Sequence, residues 1–172
     1  MRNLGGRGGS SRLGRERAFG AEAAWRCSDM KRRSKGTDKK DLVKTGSSQL
    51  RRILVVEDDE DMQENLRRIL VGSGYVVCLA RNGAEAVALL ESQPFHLVLT
   101  DLMMPAMGGL QLLAEIRRRE RNLPVVLLTA FGDRHTFMKA TEMGAVDFLT
   151  KPFRADFLLD LIQKILADHS RR

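Results

Sequence analysis

The sequence predicts an α/β protein built as a doubly wound parallel sheet in three layers. Three observations carry this. Short apolar runs rich in β-branched residues recur along the chain, as in Ile53–Val56 and Val125–Leu128. Runs of this length that are apolar throughout fit strands buried on both faces, and they are too short for core helices. Each run is followed by apolar residues at helical spacing. Strands that alternate with helices pair in parallel through right-handed crossovers.

The elements follow in order. Ile53–Val56 is the first strand, ending in Glu57, Asp58 and Asp59. Met62, Leu66, Ile69 and Leu70 form the inner stripe of the first helix, with Gly72 or Gly74 as its stop. Tyr75–Ala80 is the second strand, Asn82-Gly83 a turn, and Ala84–Ser92 a short helix with Val87 and Leu90 inward. Leu97–Thr100 is the third strand, ending at Asp101, and a loop runs from Met103 to Gly109. Leu110, Leu113 and Ile116 mark the third helix, with Arg117, Arg118 and Arg119 on a solvated face. Val125–Leu128 is the fourth strand, ending at Thr129; Phe137, Ala140 and Thr141 belong to the fourth helix, closed by Gly144. Ala145–Leu149 is the fifth strand, followed by Thr150, Lys151 and Pro152, and Leu158, Leu161, Ile162 and Ile165 line the last helix. Five strand–helix units of this kind make a flavodoxin-like (βα)5 sandwich with sheet order 2-1-3-4-5.

Charge divides the 172 residues. Residues 1–52 hold 15 Lys and Arg against 5 Asp and Glu, a net +10; residues 53–172 hold 14 against 17, a net −3. The first stretch is rich in Gly, Arg, Ser and Lys and poor in large apolar residues, so it cannot bury enough surface to offset the entropy of ordering. The expected organisation is a disordered basic tail over 1–50, a folded body over 51–168 and a short C-terminal tail over 169–172. The basic tail is read as an inert extension, or as an artefact of a start upstream of Met30, ahead of a nucleic-acid-binding arm. No apolar run approaches the roughly 18 residues that span a membrane. The two cysteines, Cys27 and Cys78, make no CxxC pair, which suits a reducing cytoplasm rather than a disulfide scaffold.

Ligands of open parallel sheets bind at the carboxyl ends of the strands. There the sequence places Glu57, Asp58 and Asp59, then Asp101, Thr129 and Lys151, and the strand order brings these ends side by side. Clustered carboxylates repel unless a cation neutralises them. Hard oxygen ligands in a shallow loop site suit Mg2+, which keeps waters and accepts phosphate oxygens. Lysine, hydroxyl and metal together favour a phosphoryl group on Asp101, a side chain able to serve as covalent nucleophile. His96, His135 and His169 lie away from this edge and are not read as catalytic.

The runs Ile53-Leu54-Val55-Val56-Glu57-Asp58-Asp59, Asp101-Leu102-Met103-Met104-Pro105, Leu128-Thr129-Ala130 and Lys151-Pro152-Phe153, in this order and spacing, resemble the receiver domain of two-component response regulators. The resemblance covers about 52–167. It implies that Asp101 accepts phosphate, with Glu57, Asp58, Asp101 and the Met103 backbone carbonyl binding Mg2+. It further implies that Thr129 is the switch hydroxyl, Phe148 the switch aromatic, Lys151 the phosphate-binding lysine, and Lys151–Pro152 a cis peptide. Asp59 lies one position beyond the acidic pair and is not counted as a ligand. The implied partners are a sensor histidine kinase or histidine phosphotransfer protein and a downstream target protein. The face of the fourth helix, fifth strand and fifth helix would carry the signal or a dimer. No output domain follows the receiver, so the target is expected to be another molecule. The chain departs from many relatives at Ala106 and Gly108, where Gly and Asp are common, which implies altered loop geometry. Apolar Met103 and Phe131 imply slow self-dephosphorylation.

Two other readings remain. One is a nucleic-acid-binding regulator that uses the basic tail under receiver control. The other is a Mg2+-dependent phosphatase of the haloacid dehalogenase type, which looks for a second aspartate two residues after the first. Met103 stands there instead. The receiver reading implies self-catalysed phosphorylation and dephosphorylation, with no turnover of an external substrate.

Overall fold

The computed structural model describes residues 50–120, 122–130 and 134–169. Of the disordered tail expected over 1–50, residues 1–49 lie outside them, as do Phe131 and residues 170–172 of the expected C-terminal tail. Five strands, β1 (Arg52–Val56), β2 (Val76–Ala80), β3 (Leu97–Asp101), β4 (Val125–Thr129) and β5 (Asp147–Thr150), form one parallel sheet in the order β2-β1-β3-β4-β5. They alternate with α1 (Glu60–Gly72), α2 (Gly83–Ser92), α3 (Gly109–Arg119), α4 (Arg134–Glu142) and α5 (Ala155–His169). This is the predicted flavodoxin-like architecture.

The pleat explains the three layers. Successive strand residues point to opposite faces, so each apolar run feeds two cores. Ile53, Val55, Leu97, Leu99, Val126 and Leu128 pack under α1 and α5, against Leu66, Leu70, Leu158 and Ile162. Leu54, Val56, Val98, Val125 and Leu127 pack on the other face with Ala86 and Leu89 of α2, Leu112, Leu113 and Ile116 of α3, and Ala140 of α4. The central strands β3 and β4 are buried at every position, while edge strand β5 buries only Leu149.

Several sequence expectations shift. In α2 the buried residues are Gly83, Ala86 and Leu89, with Val87 and Leu90 on the flanks. Small Ala86 permits close approach to the sheet, and a stripe drawn through the largest apolar residues is displaced from it. Thr141 is exposed and donates its hydroxyl to the Phe137 carbonyl at 2.8 Å, the back-bond by which threonine satisfies itself inside a helix. β5 begins at Asp147, not Ala145, because Ala145 N–H is spent on the Ala140 carbonyl in the turn that ends α4. α5 runs through His169, whose ring lies 3.0 Å from the Ile165 carbonyl.

Helix ends are fastened locally. Asp59 caps α1 by accepting Met62 N–H at 2.7 Å, and Asn82 caps α2 by accepting Glu85 N–H at 2.9 Å. Ser73 closes α1, and Gly74 follows at φ 88°, where glycine carries no steric cost. Gly109 begins α3 so near β3 that an added Cβ would lie 2.4 Å from the Asp101 carbonyl oxygen. Only glycine lets that helix start directly beneath the strand end.

Candidate active site at the carboxyl edge

The register assembles the site. β3 pairs with β4 through Asp101↔Leu128, and β4 with β5 through Thr129↔Thr150. Lys151 N–H donates to the Thr129 carbonyl at 2.8 Å, and Leu102 N–H to the Leu128 carbonyl at 2.8 Å. Residues far apart in sequence thus meet at one edge. Glu57, Asp58 and Asp101 each offer a carboxylate oxygen, all within 4.8 Å of one another. Lys151 Nζ donates to Glu57 Oε2 at 2.7 Å and to Asp101 Oδ2 at 2.8 Å. The other Asp101 oxygen, Oδ1, accepts Met103 N–H at 3.2 Å.

Burial grades these groups. Glu57 is 1% exposed and Asp101 9%, while Asp58 is open to solvent. Burial raises the pKa of Glu57 above its ordinary value of 4.5; the Lys151 hydrogen bond and charge oppose this. For Lys151, burial alone would lower the pKa, but the hydrogen bonds and charges of Asp101 and Glu57 outweigh it and hold the ammonium above 10.5. Three carboxylates facing one ammonium leave two negative charges uncompensated in a partly buried pocket. That donor set, all hard oxygen and in excess of its cation, fits a divalent ion such as Mg2+.

The other predicted residues surround this centre. Thr129 is 1% exposed at the end of β4. Phe148 is half-buried on β5, its ring packed edge-on against Phe137 of α4 at 4.9 Å and 89°. The Lys151–Pro152 peptide is cis. Asp59 caps α1, apart from the three clustered carboxylates. In the loop after Asp101, the Met103 side chain is 74% exposed, and Ala106 adopts φ 66°, a left-handed conformation unusual for alanine.

Two residues were not anticipated. Gln63 is buried in α1, and its amide donates to the Glu57 carbonyl at 3.0 Å and to the Ala80 carbonyl at 2.9 Å. Its sequence signal is a polar residue at i−3 to Leu66 and i−7 to Leu70, inside the buried stripe. Arg117, expected on a solvated face, instead folds back. It donates to the Gly144 carbonyl at 2.7 and 3.2 Å and to the Leu123 carbonyl at 2.7 Å, tying α3 to the turn before β5. Nothing in a run of three arginines distinguishes the one that turns inward.

An aspartate among acidic neighbours and a lysine, at the carboxyl edge of a five-stranded doubly wound sheet, defines the receiver class of signalling domains. The chain belongs to the response regulator receiver domain family, which it matches over residues 53–163. It is similar to the DNA-binding transcriptional regulator NtrC of Escherichia coli, 35% identical over 120 residues, covering 70% of this chain and 26% of that protein. It is also similar to the response regulator protein FleR of Pseudomonas aeruginosa, 40% identical over 113 residues, covering 66% and 24%. The chain thus spans about a quarter of the length of these curated relatives. Among solved structures it resembles a CheY-like response regulator receiver domain protein from Methanospirillum hungatei, with a TM-score of 0.70, 28% identity, and coverage of 72% and 98%. A signal receiver domain of a signal transduction histidine kinase from Syntrophus aciditrophicus matches with a TM-score of 0.65, 35% identity, and coverage of 70% and 93%. Among the described residues no helix is long and apolar enough to cross a membrane.

Proposed function

We propose that Asp101 is the phosphoacceptor of a two-component phosphorelay. The observation that supports this best is the doubly shared lysine, with Nζ within 2.8 Å of both Asp101 and Glu57. An Asp101 carboxylate oxygen bonds to phosphorus as the P–N bond of a donor phosphohistidine breaks, or the P–O bond of acetyl phosphate. The imidazole or acetate departs. Lys151 then exchanges a carboxylate for a phosphoryl oxygen and offsets the added negative charge. Glu57, Asp58, Asp101 and the Met103 carbonyl would hold Mg2+, which when bound neutralises charge on the phosphoryl oxygens.

The switch reading rests on adjacency. Thr129 stands beside Lys151, and Phe148 and Phe137 join β5 to α4 by a ring contact. A hydroxyl drawn toward the phosphoryl group frees space beneath Phe148, and the α4–β5–α5 face changes shape. That face would then bind a downstream target protein or a second copy. The phosphate donor would be a sensor histidine kinase or a histidine phosphotransfer protein. The protein catalyses its own phosphorylation and hydrolysis without turning over an external substrate. The exposed, apolar Met103 gives a hydrolytic water no polar anchor, which favours slow dephosphorylation.

The test is intact-mass spectrometry after incubation with acetyl phosphate, with and without Mg2+, on wild type and Asp101→Asn. A Mg2+-dependent phosphoryl adduct present only in the wild type is expected. Folded wild-type protein without an adduct overturns phosphorylation by small donors and leaves only transfer from a phosphohistidine, and an equal adduct on the variant overturns the assignment to Asp101.

A further inference from the structure

We infer that Gln63 is a positioning residue for the metal-binding carboxylates, setting the affinity of the site through the backbone that carries Glu57 and Asp58. The inference rests on the proposed metal-binding role of those carboxylates and goes beyond it.

Gln63 projects from α1 into the core and is only 5% exposed. Its Nε2 carries two protons, and both are used: one bonds to the Glu57 carbonyl at 3.0 Å, the other to the Ala80 carbonyl at 2.9 Å. Glu57 N–H also donates to the Ala80 carbonyl at 3.0 Å. One amide thus closes a triangle between the end of β1, the end of β2 and α1. The backbone N–H and carbonyl of Glu57 are both tied to the same neighbouring strand, the first directly and the second through Gln63.

Two further contacts hold the remainder of this turn. Asp59 caps α1 through Met62 N–H, and Gln63 N–H donates to the Asp59 carbonyl at 2.9 Å. Gln63 therefore fixes the segment from both sides, by its side chain at Glu57 and by its backbone at Asp59. Asp58 lies between those anchors and is itself solvent-exposed. Among the described residues its side chain has no hydrogen-bond or ion-pair partner, so its place beside Asp101 depends on the backbone to either side. Three carboxylates within 4.8 Å that share the single Lys151 ammonium still repel one another until a further cation arrives. A rigid turn resists that spreading, and less ordering is then left to occur on binding.

The experiment titrates Mg2+ alone into wild type, Gln63→Met and Gln63→Glu by calorimetry, with fold checked by circular dichroism. Methionine keeps the length and helix propensity of glutamine but donates no hydrogen bond. Glutamate keeps the shape and presents oxygens to the two carbonyls. Both variants should bind Mg2+ at least about tenfold more weakly, the range seen when a partner behind a metal ligand is lost. Phosphorylation by acetyl phosphate should then need more Mg2+ while reaching the wild-type rate at saturation, a split that a general loss of stability would not produce. Should one variant fail to fold, the other carries the test. Folded variants with wild-type Mg2+ affinity overturn the role of Gln63. Wild type that takes up no Mg2+ overturns the underlying metal reading instead.

Discussion

At the residue scale, the site is governed by charge imbalance. Lys151 donates its ammonium to both Glu57 and Asp101. Replacing it with Met leaves a carboxylate that is 1% exposed facing two others with no cation. Losing one partner of a buried pair costs about 3 kcal/mol, so Lys151→Met should lower the urea midpoint markedly in Mg2+-free buffer. Asp101→Asn removes a like charge from the same cluster and should leave stability equal or higher. A Lys151→Met protein as stable as wild type would contradict this balance. The residue types at these positions were legible from the sequence, because carboxylates and a lysine directly after apolar strands have few other reasons to converge. Gln63 and Arg117 were not legible. A glutamine or arginine serves equally in solvent, and only the packed neighbours reveal which carbonyls it reaches.

At the element scale, strand ends and helix starts are coupled. Gly109 lets α3 begin under β3, and a Cβ there would meet the Asp101 carbonyl oxygen at 2.4 Å. Backbone must move to admit it, at a cost of about 1–3 kcal/mol. Gly109→Ala should therefore reduce stability in urea unfolding and also slow phosphorylation, since Asp101 shifts with its carbonyl. The opposite end of the sheet has a pH dependence. His96 Nδ1 accepts Arg52 N–H at 3.0 Å, and His96 N–H donates to the Arg52 carbonyl at 2.8 Å. Burial, aided by the Arg51 charge, lowers the His96 pKa below 6.5. The unfolded chain then takes up this proton at higher pH than the folded one. The ring's contribution is complete above 6.5 and is lost as pH falls from there through the folded value. Urea midpoints should drop between about pH 7.5 and about pH 5.5, and by less in His96→Asn, whose side-chain oxygen can accept the same N–H without titrating. An identical pH slope in both proteins would exclude His96 as the source.

At the scale of the whole molecule, the proposed metal reading links binding to stability. A ligand that binds only the folded state stabilises it by about 2.7 kcal/mol at a hundredfold excess over Kd. Raising Mg2+ should therefore increase the thermal midpoint of wild type, chelator should reverse the gain, and Asp58→Asn should blunt it. A thermal midpoint indifferent to Mg2+ would argue against the acidic cluster as a cation site.

The strand order, the three layers and the convergence of Glu57, Asp58, Asp101, Thr129 and Lys151 could be read from the sequence because they follow from periodicity and topology. Apolar runs must be buried, parallel strands must be joined by crossovers, and the carboxyl ends must then share an edge. The tertiary structure alone decided the rest. Ala86 rather than Val87 approaches the sheet, Thr141 faces solvent, Arg117 turns inward to Gly144, and Gln63 braces Glu57. The physical reason is the same in each case. Composition and spacing state which groups need burial or partners, but a hydrogen bond or a close contact depends on distances of a few ångströms, set only when every layer is packed.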